Sequence, residues 1–189
     1  MKITRVSDLI YGVFKFENWN TLKAKEGGKR LHAKLLEKYH KRRGHHCEKQ
    51  LSIFLVSNSK KPKLEHLLTG TPDMWYVKKD TLYIIDHKTF KYPNKITTKR
   101  EFWDQLFGYL LLIYINHGSR LKKVKHISLQ IWGYHRYKTT AESMEIKEKL
   151  TQNISLSVFK EQFPQWINDQ FKGNYLFISP SSFNISLPR

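Results

Sequence analysis

Gly70-Thr71-Pro72-Asp73-Met74-Trp75-Tyr76-Val77-Lys78-Lys79-Asp80-Thr81-Leu82-Tyr83-Ile84-Ile85-Asp86-His87-Lys88-Thr89 is the stretch on which the reading of this chain turns. Two runs rich in aromatic and β-branched residues flank a polar Lys79-Asp80 tip, and Gly70 with Pro72 mark the approach, so a β-hairpin is expected. With a two-residue turn, Val77 lies opposite Leu82, Trp75 opposite Ile84 and Asp73 opposite Asp86, with opposed Cβ atoms about 4.5–5.5 Å apart. Lys88 follows Asp86 by two residues and projects from the same face. One more residue in the turn would send Asp73 to the other face.

Like charges placed opposite one another weaken a strand pair, so two aspartates there need positive charge between them. Lys88 alone could supply it. Two convergent carboxylates also form a hard-oxygen site for Mg²⁺ or Mn²⁺.

Outward from the hairpin, the 189 residues suit a single domain over 1–189, its core at roughly 28–134 with helical or loop additions at either end. Lys and Arg number 34 against 16 Asp and Glu, an imbalance that points to a polyanionic partner, and nucleic acid fits it best. No basic amphipathic anchor or long apolar run points to a membrane. Cys47 is the single cysteine, which excludes an intramolecular disulfide, an all-cysteine iron–sulfur cluster and a cysteine-rich zinc site within one chain. The N-terminal residues lack the pattern of a signal peptide, so a cytoplasmic location is expected.

Residues 4–24 are expected to form a short helix and a turn, broken at Gly27-Gly28. Leu31, Leu35, Leu36 and Tyr39 have helical spacing from Lys29 to about Arg43, with Gly44 as a stop and His32 at the edge of the apolar stripe. Glu48 to Val56 reads as the first strand and Ser57 to Leu64 as a lysine-rich loop. After a turn at Tyr92-Pro93-Asn94, Thr98-Lys99-Arg100-Glu101 fits a capping box. The helix that follows, Lys99 to about Asn116, is apolar on most sides and therefore buried, and Gln105 and Tyr109 share one of its faces. A strand over 124–134, helices over Ala141–Leu150 and Ser157–Phe171, and a loose tail from Ser179 complete the chain. The fold class is α/β, a mixed sheet flanked by helices.

In order, Gly28-Lys29-Arg30-Leu31-His32, Gly70-Thr71-Pro72-Asp73, Ile85-Asp86-His87-Lys88-Thr89 and Gln105-Leu106-Phe107-Gly108-Tyr109 resemble the four motifs of the RecB-type branch of the PD-(D/E)XK nucleases. That branch includes the CRISPR-adaptation nucleases and the mitochondrial genome-maintenance exonucleases. The resemblance implies a restriction-endonuclease-like core. It implies a divalent metal, Mg²⁺ or Mn²⁺, ligated by His32, Asp73, Asp86 and the main-chain carbonyl of His87. It further implies that Lys88 holds or activates water, and that Gln105 and Tyr109 orient Lys88 and contact the phosphate strand. The chemistry agrees, because phosphodiester hydrolysis needs a metal to polarise oxygen and acidify water, and a cation for developing charge. The implied activity is an exonuclease on single-stranded DNA ends in repair, recombination or replication. A structure-specific endonuclease and a non-catalytic nucleic-acid-binding protein are the alternatives.

The CRISPR-adaptation members carry four cysteines around an iron–sulfur cluster. This chain lacks them, so no cluster is expected and Phe14, Phe16 and Trp19 are expected to form an aromatic knot in that region. His40, His45, His46 and Cys47 suggest zinc by composition, but adjacent His45-His46-Cys47 is poor ligand geometry. The side chain of His87 is expected on the face opposite the metal pair, as a structural or DNA-facing residue. Basic residues over 23–43, 60–63, 88–100 and 122–138 could line a cleft leading to the carboxylates, with Tyr92, Trp103 or Tyr137 stacking on bases.

Overall fold

A computed structural model describes residues 1–11, 19–90, 100–135 and 146–179. In chain order the elements are β1 (Lys2–Arg5), α1 (Val6–Tyr11), α2 (Trp19–Tyr39), β2 (His45–Cys47), β3 (Leu51–Ser57), β4 (Leu64–Gly70), β5 (Met74–Lys78) and β6 (Thr81–Phe90). They continue with α3 (Arg100–His117), a 3₁₀ turn (Gly118–Leu121), β7 (His126–His135), β8 (Glu148–Ser155), α4 (Leu156–Phe171) and β9 (Tyr175–Ile178). The fold is the expected α/β class, built on two mixed sheets flanked by helices.

The hairpin forms in the expected register, with Val77 opposite Leu82 and Trp75 opposite Ile84. Lys79 closes the turn in the left-handed region, at φ 57°. From β6 the chain crosses through α3 into β7, which pairs parallel to β6, and β8 closes that edge antiparallel. The five-stranded sheet runs β2-β5-β6-β7-β8; the second sheet runs β1-β4-β3-β9.

Strand alternation assigns the two faces of the five-stranded sheet to different helices. Trp75, Leu82, Ile84, Leu129 and Ile131 share a core with Leu106, Leu110 and Ile113 of α3, and with Ile53, Leu55 and Leu68 of the second sheet. Met74, Ile85 and Tyr134 pack on the other face with Leu31, Leu35 and Tyr39 of α2. The active-site candidates lie where both helix layers meet the Asp86 end of this sheet.

Several local expectations are corrected. The helix does not break at Gly27-Gly28. Each glycine costs about 1 kcal/mol relative to alanine, which burial of Leu31, Leu35 and Tyr39 offsets. The helix stops at Tyr39, not near Arg43, and Gly44 at φ 83° serves the turn into β2. Residues 148–150 belong to an edge strand rather than a helix, because β7 supplies backbone partners that no local pattern announces. β1, β2, β4 and β9 are additional strands, three of them only three or four residues long or at the chain's margin. Phe14 and Phe16, the 92–94 turn, Tyr92, Tyr137 and the tail beyond Ser179 lie outside the described residues, as do the Trp19 side chain and the Thr98-Lys99 half of the capping box. No helix among the described residues is long and apolar enough to cross a membrane.

Candidate active site

Asp73 ends the run of residues opposite β6 and continues the ladder with its side chain: Oδ2 accepts the backbone N–H of His87 at 2.6 Å. Across from it, alternation along β6 turns Asp86 and Lys88 to the α3 face and His87 to the α2 face. Asp86 is 2 % exposed, and Lys88 Nζ lies 2.9 Å from its Oδ2. This ammonium is the charge partner of the buried carboxylate. Lys88 donates to Gln105 Oε1 at 2.9 Å, and Gln105 Nε2 donates to the Tyr109 hydroxyl at 2.9 Å. The i, i+4 spacing on α3 is what lets one amide join the lysine to the phenol. Phe102, one turn before Leu106, places its ring 5.5 Å from Lys88 Nζ.

Gly70 explains the glycine of its motif by close approach rather than by backbone freedom. A Cβ there would stand 2.8 Å from Leu112 Cδ1 and 3.0 Å from Tyr109 Cε1. The Tyr109 ring therefore lies directly on the end of β4, which fixes the hydroxyl at the far end of the Lys88 chain.

His32 reaches the same place from α2. Its Nδ1 is 3.7 Å from Asp73 Oδ1 and is hydrogen-bonded to the Glu48 carboxylate. Glu48 follows β2 directly and sits at φ 51°, a left-handed conformation that costs a non-glycine residue about 1–2 kcal/mol. Its backbone N–H donates to the Asp73 carbonyl at 3.2 Å, fastening that turn to the aspartate. His32, Glu48 and Asp73 each present a ligand atom within 4.8 Å of the others.

Glu48 is the site residue that sequence reasoning missed. Its one signal is that it is the sole carboxylate between Glu37 and Glu65, amid Lys, Arg and His. The other expected residues come together: His32 with Asp73, Asp73 with the main chain of His87, Asp86 with Lys88, and Lys88 through Gln105 to Tyr109. The His87 ring is buried beneath α2, edge-on to Trp132 at 5.5 Å, tilted against Tyr134 at 5.7 Å and 6.5 Å from His32, which makes it structural. His45 stacks on Tyr76 at 4.4 Å and His46 on Trp75 at 3.9 Å, so both rings take part in packing against β5.

Burial and neighbouring charge move three groups of this site away from their ordinary protonation ranges. Burial and the charge of Asp86 raise the Asp73 carboxyl to about 7, against the pull of His32, Lys88 and the His87 N–H. Burial lowers the affinity of His32 for a proton, but the Glu48 hydrogen bond and the charges of Asp73, Glu48 and Asp86 outweigh it and raise the imidazole to about 9. Burial, then His32 and Lys88, lower His87 to about 3, leaving it neutral. One imidazole nitrogen with the carboxylate oxygens of Glu48 and Asp73 suits Mg²⁺ or Mn²⁺, the nitrogen widening tolerance toward Mn²⁺; the expected ligand Asp86 is not part of this set and pairs with Lys88 instead.

No protein-family model and no curated protein matches the chain. Among solved structures, it is similar to SSO0001, with 15 % identity over 92 % of this chain and 78 % of that one, at a TM-score of 0.46. A phage-related exonuclease from Haemophilus somnus 129PT is 14 % identical over 88 % of this chain and 76 % of that one, at 0.37. An alkaline exonuclease, LHK-Exo, from Laribacter hongkongensis is 8 % identical over 88 % and 87 %, at 0.33. At such scores the likenesses carry no argument about chemistry, which rests on the side chains above.

Proposed function

We propose that this chain is a single-domain, metal-dependent deoxyribonuclease of the RecB-type PD-(D/E)XK kind, acting as an exonuclease on single-stranded DNA ends. The observation that carries the reading is the hydrogen-bonded run Lys88–Gln105–Tyr109, anchored on buried Asp86 and set beside the His32–Glu48–Asp73 cluster. A structural ion pair would need neither the amide and phenol behind the lysine nor a second, cation-seeking cluster beside it.

A divalent cation held by His32, Asp73, Asp86 and the His87 carbonyl would supply Lewis-acid polarisation of the phosphate and an acidified water. Lys88 orients the attacking water and offsets the charge that builds on the phosphate oxygens. Gln105 and Tyr109 hold Lys88 in place, so they are positioning residues with respect to it. A cavity of about 310 Å³ lined by Arg5, Ser7, Gln50, Thr69, Thr71 and Tyr109 adjoins this run. Its guanidinium and hydroxyls suit the backbone phosphates of a strand leading to the site.

The test is hydrolysis of end-labelled single-stranded DNA by purified protein with Mg²⁺ or Mn²⁺. Activity on linear strands that disappears in Asp86→Ala and in Lys88→Ala is expected. Cleavage of closed single-stranded circles would shift the assignment to an endonuclease, and no hydrolysis of either form with either metal would overturn it.

A further inference from the structure

The end of the five-stranded sheet away from Asp86 carries a charge cluster for which the catalytic reading has no use. Lys78 and Lys79 stand at the hairpin tip, and Lys122, Lys123 and Lys125 stand in the turn before β7. All five are exposed, and none forms an ion pair among the described residues. Two separate segments are fastened here backbone to backbone: the N–H groups of Lys125 and His126 donate to the Asp80 carbonyl at 2.8 and 3.1 Å. The Asp80 carboxylate accepts from the Thr81 hydroxyl at 3.3 Å and lies 4.0 Å from His126 Nε2, touching none of the five lysines. The fold thus gathers five like charges that repel one another, and fixes them with two hydrogen bonds.

Beside the lysines lies a cleft of about 470 Å³ whose lining includes Tyr83, His126, Ser128, Asn153 and Ser155. Its walls offer hydroxyls, an amide and the edge of the Tyr76–Tyr83 stack, whose rings are 4.9 Å apart. Lysines in the two turns that adjoin Thr81 and His126, at the mouth of a cleft of mixed polar and apolar lining with an aromatic wall, match the backbone and bases of a nucleic-acid strand. An acidic protein surface would find the charge but no use for the cleft.

We infer that this end of the sheet is a second strand-binding surface, which holds DNA remote from the bond being hydrolysed. The inference rests on the nucleic-acid substrate proposed above. β6 carries Thr81 at this end and Lys88 at the other. Seven residues of strand at about 3.3 Å each separate the surfaces by roughly 23 Å. At about 3.4 Å per stacked nucleotide, a strand must be about seven nucleotides long to touch both. Long strands are therefore gripped at two places and short ones at one, a difference that favours continued digestion of a long strand over release.

The experiment compares Lys122→Ala/Lys123→Ala/Lys125→Ala with its parent, both carrying Lys88→Ala so that the DNA survives the measurement. Single strands of about 20 and about 5 nucleotides are titrated across a salt series. Loss of about tenfold or more in affinity for the long strand, with the short one unchanged, is expected. Three lost phosphate contacts at about 0.7 each lower the salt slope by about 2. Lys→Arg replacements at the same three positions retain parental binding. Unchanged long-strand affinity and slope in the alanine variant would overturn the inference, as would equal losses for long and short strands. If instead the active protein hydrolyses no DNA yet long-strand binding depends on these lysines, the nuclease reading falls and this surface stands.

Discussion

Replacing Lys88 by methionine separates what the lysine does for the fold from what it does for chemistry. The parent holds Asp86, 2 % exposed, against an ammonium 2.9 Å away on a side chain that is itself 24 % exposed. Breaking a buried pair by removing one partner costs about 3–5 kcal/mol. Partial exposure of the lysine places this case at the lower end, about 3 kcal/mol. For a chain of this size that is a fall of roughly 6–12 °C in Tm. Methionine keeps most of the stem's volume and its contact with Phe102, so lost packing adds little. The expected result in metal-free buffer is that fall in Tm, and in saturating Mn²⁺ a partial recovery, because the cation supplies the charge that Asp86 lacks. Hydrolysis is lost in both conditions. Lys88→Arg keeps the charge, so it should melt close to the parent and still fail to cleave, its planar fork not matching the Gln105 carbonyl that positions a point charge. The reasoning is refuted by a methionine variant that melts with the parent and does not respond to Mn²⁺, or by one that still cleaves DNA.

Three further outcomes follow from the geometry. Gly70→Ala drives a methyl to within 2.8 Å of Leu112 and 3.0 Å of the Tyr109 ring. It should cost about 1–3 kcal/mol in urea unfolding and lower kcat more than KM, because Tyr109 is displaced from the amide that holds Lys88. Glu48→Gln should weaken Mn²⁺ binding by about tenfold or more in calorimetry, whether Glu48 ligates the ion or orients His32; parental affinity would remove it from the site. Asp73, at about 7, and His32, at about 9, both hold protons above their ordinary values. The stability they lend the metal-free fold is complete below the ordinary carboxylate range and is lost as pH rises through 7 and then 9. The metal needs both groups deprotonated, so its apparent affinity should climb over the same window, with proton release visible as a binding enthalpy that depends on the buffer.

Local spacing alone determined the hairpin register, the face shared by Asp86 and Lys88, the pairing of Gln105 with Tyr109 on one helix, and the helical placement of His32. Each follows from a period of 2 or 3.6 residues acting over a few neighbours, so no distant partner has to be known. Tertiary structure decided the rest. Glu48 reaches His32 only because a left-handed turn after β2 is tied to the carbonyl of Asp73, a closure between positions with no fixed spacing. α2 runs through two glycines because its far half is buried on Met74, Ile85 and Tyr134. Residues 148–155 are a strand because β7 offers an edge. In the last three cases the deciding energy comes from a surface elsewhere in the chain, and periodicity carries no information about which surface that will be.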